Sequence, residues 1–137
     1  MTRSGMTDWH NPQAASVLPL ALLAAALGWT LIAIGVSAWR ALVLLLMAPV
    51  AEEIVFRAGL HEGLLRISVA PWSANLLTAL AFGAAHMLLL GVNLQTAFVW
   101  LPALLIGAAY NRWRRLSICI ALHMAMNALW IAAQGMS

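Results

Sequence analysis

Residues 41–65 form the apolar stretch ALVLLLMAPVAEEIVFRAGLHEGLL, which has the length of a membrane span but contains several ionisable groups. A helix needs about 20 residues to cross the hydrocarbon layer. Charged side chains in such a helix are rare unless they face a protein interior or a water-filled cavity. The stretch therefore predicts a membrane helix with one face toward a functional cavity. Its ionisable residues are Glu52, Glu53, Arg57, His61 and Glu62.

Four further apolar stretches cover residues 14–38, 74–92, 96–110 and 116–134, with short connections between them. Of the 137 residues, 64% are hydrophobic and 8% charged, and the mean hydropathy is +0.92. A soluble domain has about 25% charged residues. We therefore predict an all-α fold, a polytopic membrane helix bundle of about five transmembrane helices with a polar cavity near the bilayer centre. Residues 1–13 are predicted to be a polar N-terminal tail, and residues 14–137 a single transmembrane core.

The arginines indicate the orientation of this bundle. The net charge is +3, and arginine supplies all seven basic side chains. With five spans only Arg40 falls on one side of the membrane, and five fall on the other: Arg3, Arg66, Arg112, Arg114 and Arg115. The positive-inside rule then predicts a cytoplasmic N-terminus and a C-terminus outside. Because topology accounts for the basic charge, we expect the lipid bilayer as a partner and no nucleic acid.

The two adjacent glutamates are predicted to have different roles. Glu53 and Arg57 are four residues apart, so they share a helix face on which an ion pair can form. Glu52 points about 100° away from Glu53 and is free to face the cavity as a base. The alternative is that both carboxylates share Arg57. Burial of an extra unpaired carboxylate costs several kcal/mol, which favours the first interpretation.

Pro49 lies three residues before Glu52. Inside a helix, proline frees a carbonyl and kinks the chain. If the helix instead begins again at Pro49, Glu52 and Glu53 fall in its first turn, where the helix dipole favours their ionised forms. A plain kink without functional meaning is the alternative, and the sequence leaves both open.

Polar residues in two later spans can join Glu52. His86 follows Phe82 by four residues, and His123 and Asn127 are also four apart on one face. At 1.5 Å per residue, Glu52, His86 and Asn127 lie about 17–20 Å from the cytoplasmic ends of their spans, so we expect them to converge. Snorkelling toward the interfaces explains the remaining ionisable side chains of the spans, namely Arg40, His61, Glu62 and Arg66.

Three segments of the chain carry a resemblance to a known family. They are EEIVFR at Glu52–Arg57, FGAAH at Phe82–His86 and HMAMN at His123–Asn127. In order and spacing they resemble the EExxxR, FxxxH and HxxxN motifs of the CPBP family, which unites CAAX prenyl proteases and bacteriocin-processing enzymes. The resemblance covers about residues 49–130. It implies a glutamic-type intramembrane endopeptidase of the bacterial inner membrane, acting on a membrane-associated protein or peptide without a cofactor.

The resemblance also implies roles for single residues. Glu52 matches the catalytic glutamate, which His86 helps to activate water, and His123 and Asn127 match the pair that stabilises the oxyanion. Three further residues match structural positions: Glu53, Arg57 and Phe82. One departure is that Ala58 follows Arg57 where the family often has glycine. Members commonly have more N-terminal helices, which suggests a second copy or a partner subunit here, and some short members are associated with C-terminal sorting signals.

Two alternatives stay open. A zinc-dependent peptidase would use Glu52, His86 and His123, since one carboxylate with two histidines is a known catalytic zinc set, although no HExxH segment is present. A non-catalytic immunity or accessory protein of the same fold is the second alternative. The intact set of one glutamate, two histidines and one asparagine argues against it.

Overall fold

The computed structural model describes residues 14–33 and 35–135, which form five helices with short connections. Helices α1 and α2 cover Ala14–Ala33 and residues 38–66, and α3, α4 and α5 cover Pro71–Leu90, Leu94–Trp113 and Leu116–Gly135. No strand occurs among these described residues. The all-α bundle predicted from the sequence is thus confirmed, whereas the predicted tail, residues 1–13, lies outside the described part of the chain.

The surface of the bundle suits a lipid environment. Helices α3, α4 and α5 are long and apolar enough to cross a membrane, and α1 contains the shorter apolar stretch Val17–Ala33. Large apolar side chains such as Trp29, Leu88 and Leu129 are exposed on the outside, where lipid can cover them. In a helix the backbone hydrogen bonds are made within the segment, as a membrane span requires. The protein is an integral membrane helix bundle.

Helix α2 is continuous but irregular. Its α-helical segments Ala38–Leu42, Ala48–Glu53 and Glu62–Arg66 alternate with two π-helical segments, Val43–Met47 and Ile54–His61. In a π-helix the N–H group bonds to the carbonyl five residues earlier instead of four, and such segments frequently occur at functional sites. Because the backbone stays helical through Pro49, the possibility that a separate helix begins there is wrong.

Helices α3 and α4 approach closely at Gly107. A Cβ atom at Gly107 would lie 1.8 Å from Asn75 Oδ1, so only glycine leaves room for this carboxamide. Asn75 Nδ2 also donates to the carbonyl of Leu104 at 3.1 Å. Lipid tails are as apolar as the helix surfaces, so the hydrophobic effect does not bring membrane helices together. Close packing at small residues and hydrogen bonds between helices do so instead. This contact fixes the position of α3, which carries Phe82 and His86.

A polar network joins α2 and α4 at the end of the bundle nearest residues 66 and 114. Glu62 Oε2 accepts hydrogen bonds from the Tyr110 hydroxyl at 2.9 Å and from Arg114 Nη2 at 2.6 Å. His61 Nε2–H donates to Asn111 Oδ1 at 3.0 Å. The prediction that His61 snorkels toward the interface is wrong, because its side chain is fully buried. The network places the basic α2–α3 and α4–α5 connections at the same end.

Candidate active site

A cavity of about 580 Å³ lies among helices α2, α3, α4 and α5. Its wall contains Glu52 from α2, His86 from α3, and His123 and Asn127 from α5. The four residues that the sequence singled out on three separate helices therefore border one space. The rest of the wall is mainly apolar and includes the ring of Trp130. The cavity thus presents a few polar groups on an apolar surface, as binding sites commonly do.

The ion pair predicted from the spacing of Glu53 and Arg57 is present. Arg57 Nε lies 3.0 Å from Glu53 Oε2, and both side chains are fully buried. Arg57 Nη2 also donates to the carbonyl of Ala103 on α4 at 3.1 Å. A buried charge is tolerated when it is paired and hydrogen-bonded. Arg57 therefore neutralises Glu53 and ties α2 to α4, and no contact joins it to Glu52 in the described structure.

His123 lies between the two glutamates. Its Nδ1 is 2.9 Å from Glu53 Oε1, and its Nε2 is 3.5 Å from Glu52 Oε2. Because the Arg57-paired Glu53 carboxylate can only accept, His123 Nδ1 carries the proton of this hydrogen bond. The sequence grouped His123 with Asn127 but did not predict its contact with Glu53.

The neighbouring carboxylates differ in their access to the cavity. Glu53 is fully buried, whereas 27% of the Glu52 side chain is exposed. Leu44, Ala48 and Glu52 all line the cavity, and their four-residue spacing identifies one face of α2. Glu53 lies off this face, toward Arg57 and His123. Only Glu52 of the pair can meet a molecule in the cavity.

His86 is held by its own helix. Its Nδ1–H donates to the carbonyl of Phe82 at 3.0 Å, and the two rings are 4.3 Å apart between centroids. The Phe82 ring also contacts His123 edge-on, with centroids 5.9 Å apart. In neutral imidazole the nitrogen without a proton accepts a hydrogen bond, so Nε2 of His86 is the acceptor. Phe82 thus packs against both imidazoles, consistent with its predicted supporting position.

Asn127 makes a contact that the sequence did not indicate. Its Nδ2 donates to the backbone carbonyl of Leu44 on α2 at 2.8 Å. One N–H of the carboxamide is therefore occupied within the protein, and Asn127 also lines the cavity. Backbone partners such as the carbonyls of Leu44 and Ala103 are absent from any side-chain motif, which is why sequence reasoning missed them.

The residues of the alternative zinc set, Glu52, His86 and His123, border the same cavity. Within residues 14–33 and 35–135, no three His, Cys, Asp or Glu side chains are arranged to hold a metal ion. His123 has a carboxylate at each ring nitrogen, and His86 uses Nδ1 for the carbonyl of Phe82.

A carboxylate and two imidazoles at one cavity inside a membrane bundle are the groups expected of an intramembrane hydrolase. Residues 34–129 match the family model described as type II CAAX prenyl endopeptidase Rce1-like. The chain belongs to this family of membrane proteases, whose substrates are membrane-associated. The matched region contains Glu52, His86, His123 and Asn127, whereas Trp130 of the cavity wall lies one residue beyond it. No curated protein and no solved structure matches the chain.

Proposed function

We propose that the protein hydrolyses a peptide bond of a membrane-associated protein or peptide with a water molecule that Glu52 activates. The difference between the two adjacent carboxylates carries this proposal. Glu53 has one oxygen at Arg57 and the other at His123, whereas Glu52 faces the cavity. A general base must come within hydrogen-bond reach of the proton that it removes. Of the two glutamates, Glu52 meets this condition.

His86 supports the same water molecule. The hydrogen bond from its Nδ1–H to the carbonyl of Phe82 leaves Nε2 as the acceptor, and His86 borders the cavity with Glu52. An acceptor on α3 and a carboxylate on α2 can each accept one hydrogen bond from a water molecule between them. This would orient an oxygen lone pair toward a substrate carbonyl.

In this reaction the protein moves one proton and stabilises the oxyanion, while the bonds that form and break belong to water and the substrate. The oxygen of water bonds to the carbonyl carbon of the substrate, and Glu52 takes the proton that it releases. When the carbon–nitrogen bond breaks, Glu52 gives this proton to the leaving amine. The second N–H of Asn127 is a candidate donor to the oxyanion of the intermediate. His123 joins it in the state with protons on both ring nitrogens, when Nε2 also donates.

The proposed orientation places the N-terminus in the cytoplasm and the C-terminus outside. Arg66 Nε and Arg114 Nη2 both approach Glu62, at 3.6 and 2.6 Å, so two basic connections lie at one end of the bundle. Arg40 lies near Gln134 at the other end, with Nη2 3.4 Å from Oε1. This asymmetry supports a cytoplasmic location for the arginine-rich end. Location in the bacterial inner membrane stays a prediction, as does assembly with a second copy or a partner subunit.

The proposal can be tested before any substrate is identified. Cells whose only copy of the gene encodes Glu52→Gln or Glu62→Gln would be compared with wild-type cells for the new termini of their membrane proteins. Glu62 is the matched control because it lies in the network at the far end of α2. We expect a set of termini to disappear with Glu52→Gln and to persist with Glu62→Gln. Unchanged termini in cells that contain normal amounts of the Glu52→Gln protein would contradict the proposal.

A further inference from the structure

The backbone carbonyl of Leu44 is left open by the local sequence of α2. In the π-helical segment Val43–Met47, the N–H of Ala48 bonds to the carbonyl of Val43, five residues earlier. In the same register, the donor for the carbonyl of Leu44 would be residue 49. That residue is Pro49, which has no N–H. The π register and the proline together therefore remove the helical partner of one carbonyl.

Asn127 supplies the missing donor. Its Nδ2 lies 2.8 Å from the carbonyl oxygen of Leu44, a normal length for such a hydrogen bond. A membrane interior offers no water to an open carbonyl, so a side chain from a neighbouring helix has to satisfy it. This hydrogen bond thus joins the region of α2 around Pro49 to α5.

The location of this bond connects it to the site. Leu44, Ala48 and Glu52 form the face of α2 that borders the cavity. Asn127 lies one turn after His123, whose Nε2 is 3.5 Å from Glu52. Helices α2 and α5 are therefore joined by two neighbouring contacts. One is the bond between Asn127 and Leu44, and the other is the contact between His123 and Glu52. The first bond also orients the carboxamide of Asn127.

We propose that Pro49 is a positioning residue. By withholding an N–H, it reserves the carbonyl of Leu44 for one N–H of Asn127, and the second N–H of Asn127 is thereby held toward the cavity. This inference rests on the proposed function, in which that second N–H serves the oxyanion. If Pro49 only altered the path of α2, replacing it would have the same effect whether or not Asn127 is present.

The test is a double-mutant cycle with Pro49→Ala and Asn127→Ala. Alanine at position 49 restores an N–H that can bond to the carbonyl of Leu44 and displace Asn127. We expect Pro49→Ala to lower kcat by about tenfold or more, toward the 10²–10³-fold loss typical of a removed oxyanion donor, with KM little changed. The double variant should be no slower than Asn127→Ala alone. Pro19→Ala is the matched control, because Pro19 lies inside α1 away from the cavity.

A stability measurement separates positioning from simple damage. Asn127→Ala should lower Tm because the carbonyl of Leu44 loses its donor, and addition of Pro49→Ala should restore Tm without restoring activity. In the wild type, selective ¹⁵N labelling of asparagine should show one slowly and one rapidly exchanging side-chain N–H at Asn127, a result that requires no variant to fold.

Independent, multiplying losses in kcat, or a Pro49→Ala protein with wild-type kcat, would overturn the inference, as would two equally fast N–H groups on Asn127. Failure of the proposed function itself would be recognised separately, by cleavage that persists in Glu52→Gln. In that case the stability rescue and the exchange rates would still report on the bond between Asn127 and Leu44.

Discussion

Glu53 Oε1 accepts the Nδ1–H of His123 at 2.9 Å, although the two residues are 70 positions apart in the chain. Glu53 Oε2 lies 3.0 Å from Arg57 Nε. Since both oxygens are occupied and the side chain is fully buried, Glu53 holds α2 against α5 and leaves the cavity to Glu52. Neighbouring carboxylates take different roles where their surroundings differ, and here burial and partners supply that difference.

Glu53→Gln should lower the stability of the folded protein, because Glu53 belongs to a buried ion pair. Loss of one partner from a buried ion pair costs about 3–5 kcal/mol, because the other charge stays buried without compensation. We expect less monodisperse protein in detergent and a lower Tm. Glu62→Gln is the control and should have a smaller effect, since Glu62 is 20% exposed. Fully folded, inactive Glu53→Gln together with active Glu52→Gln would mean that the two roles are reversed.

His86→Ala should lose activity while remaining folded. Among the described residues, the hydrogen-bond partner of His86 is the carbonyl of Phe82 in its own helix, so loss of the side chain breaks no hydrogen bond between the described helices. General acid–base assistance is typically worth about 10²–10⁴ in rate, and we expect a loss of that order in kcat. The measurement is single-turnover cleavage beside a thermal unfolding curve. A large fall in Tm would instead assign His86 a structural role.

Gly107→Ala should destabilise the bundle, because its Cβ would meet Asn75 Oδ1 at 1.8 Å. The methyl group must push α3 away from α4, and overpacking of this kind costs about 1–3 kcal/mol. Gly63→Ala is the matched control, since no atom of the described residues lies within 4 Å of the added atom. Asn75→Ala should partly rescue Gly107→Ala. Equal Tm values for Gly107→Ala and Gly63→Ala would show that the close helix contact is wrong.

Strong chelators should leave cleavage by the purified wild type unchanged. In the proposed mechanism Glu52 and His86 position and deprotonate water without a metal ion. Zinc chemistry predicts a different pattern, in which activity falls on chelation and returns with added metal. That second pattern, in a sample of known metal content, would replace the metal-free mechanism with the zinc set Glu52, His86 and His123.

The sequence predicted those parts of the site that follow from helical periodicity. The four-residue spacing of Glu53 and Arg57 predicted their ion pair, and the apolar runs around His86 and His123 predicted helices that could bring them near Glu52. The π-helical segments of α2 were not predictable, because no periodic sequence pattern distinguishes a short π-helical segment from an α-helix. The segment Val43–Met47, together with Pro49, leaves the carbonyl of Leu44 without a donor inside α2, so the contact with Asn127 was missed as well.

The burial of His61 was missed for a related reason. Its position near a span end suggested snorkelling, but Asn111 on α4 supplies a partner for its Nε2 inside the bundle. Contacts of this type depend on the rotation of one helix against another, which composition and spacing do not determine. The pairing of His123 with Glu53 belongs to the same class.

The most direct test of the account is cleavage of one membrane substrate by wild type, Glu52→Gln and Glu62→Gln in proteoliposomes at equal amounts of folded enzyme. Glutamine keeps the size of the side chain and removes its ability to take a proton. We predict no detectable cleavage by Glu52→Gln, a loss of at least about 10²–10⁴ in rate, and nearly wild-type cleavage by Glu62→Gln. Cleavage by folded Glu52→Gln at the wild-type rate would contradict the central claim that Glu52 activates the attacking water.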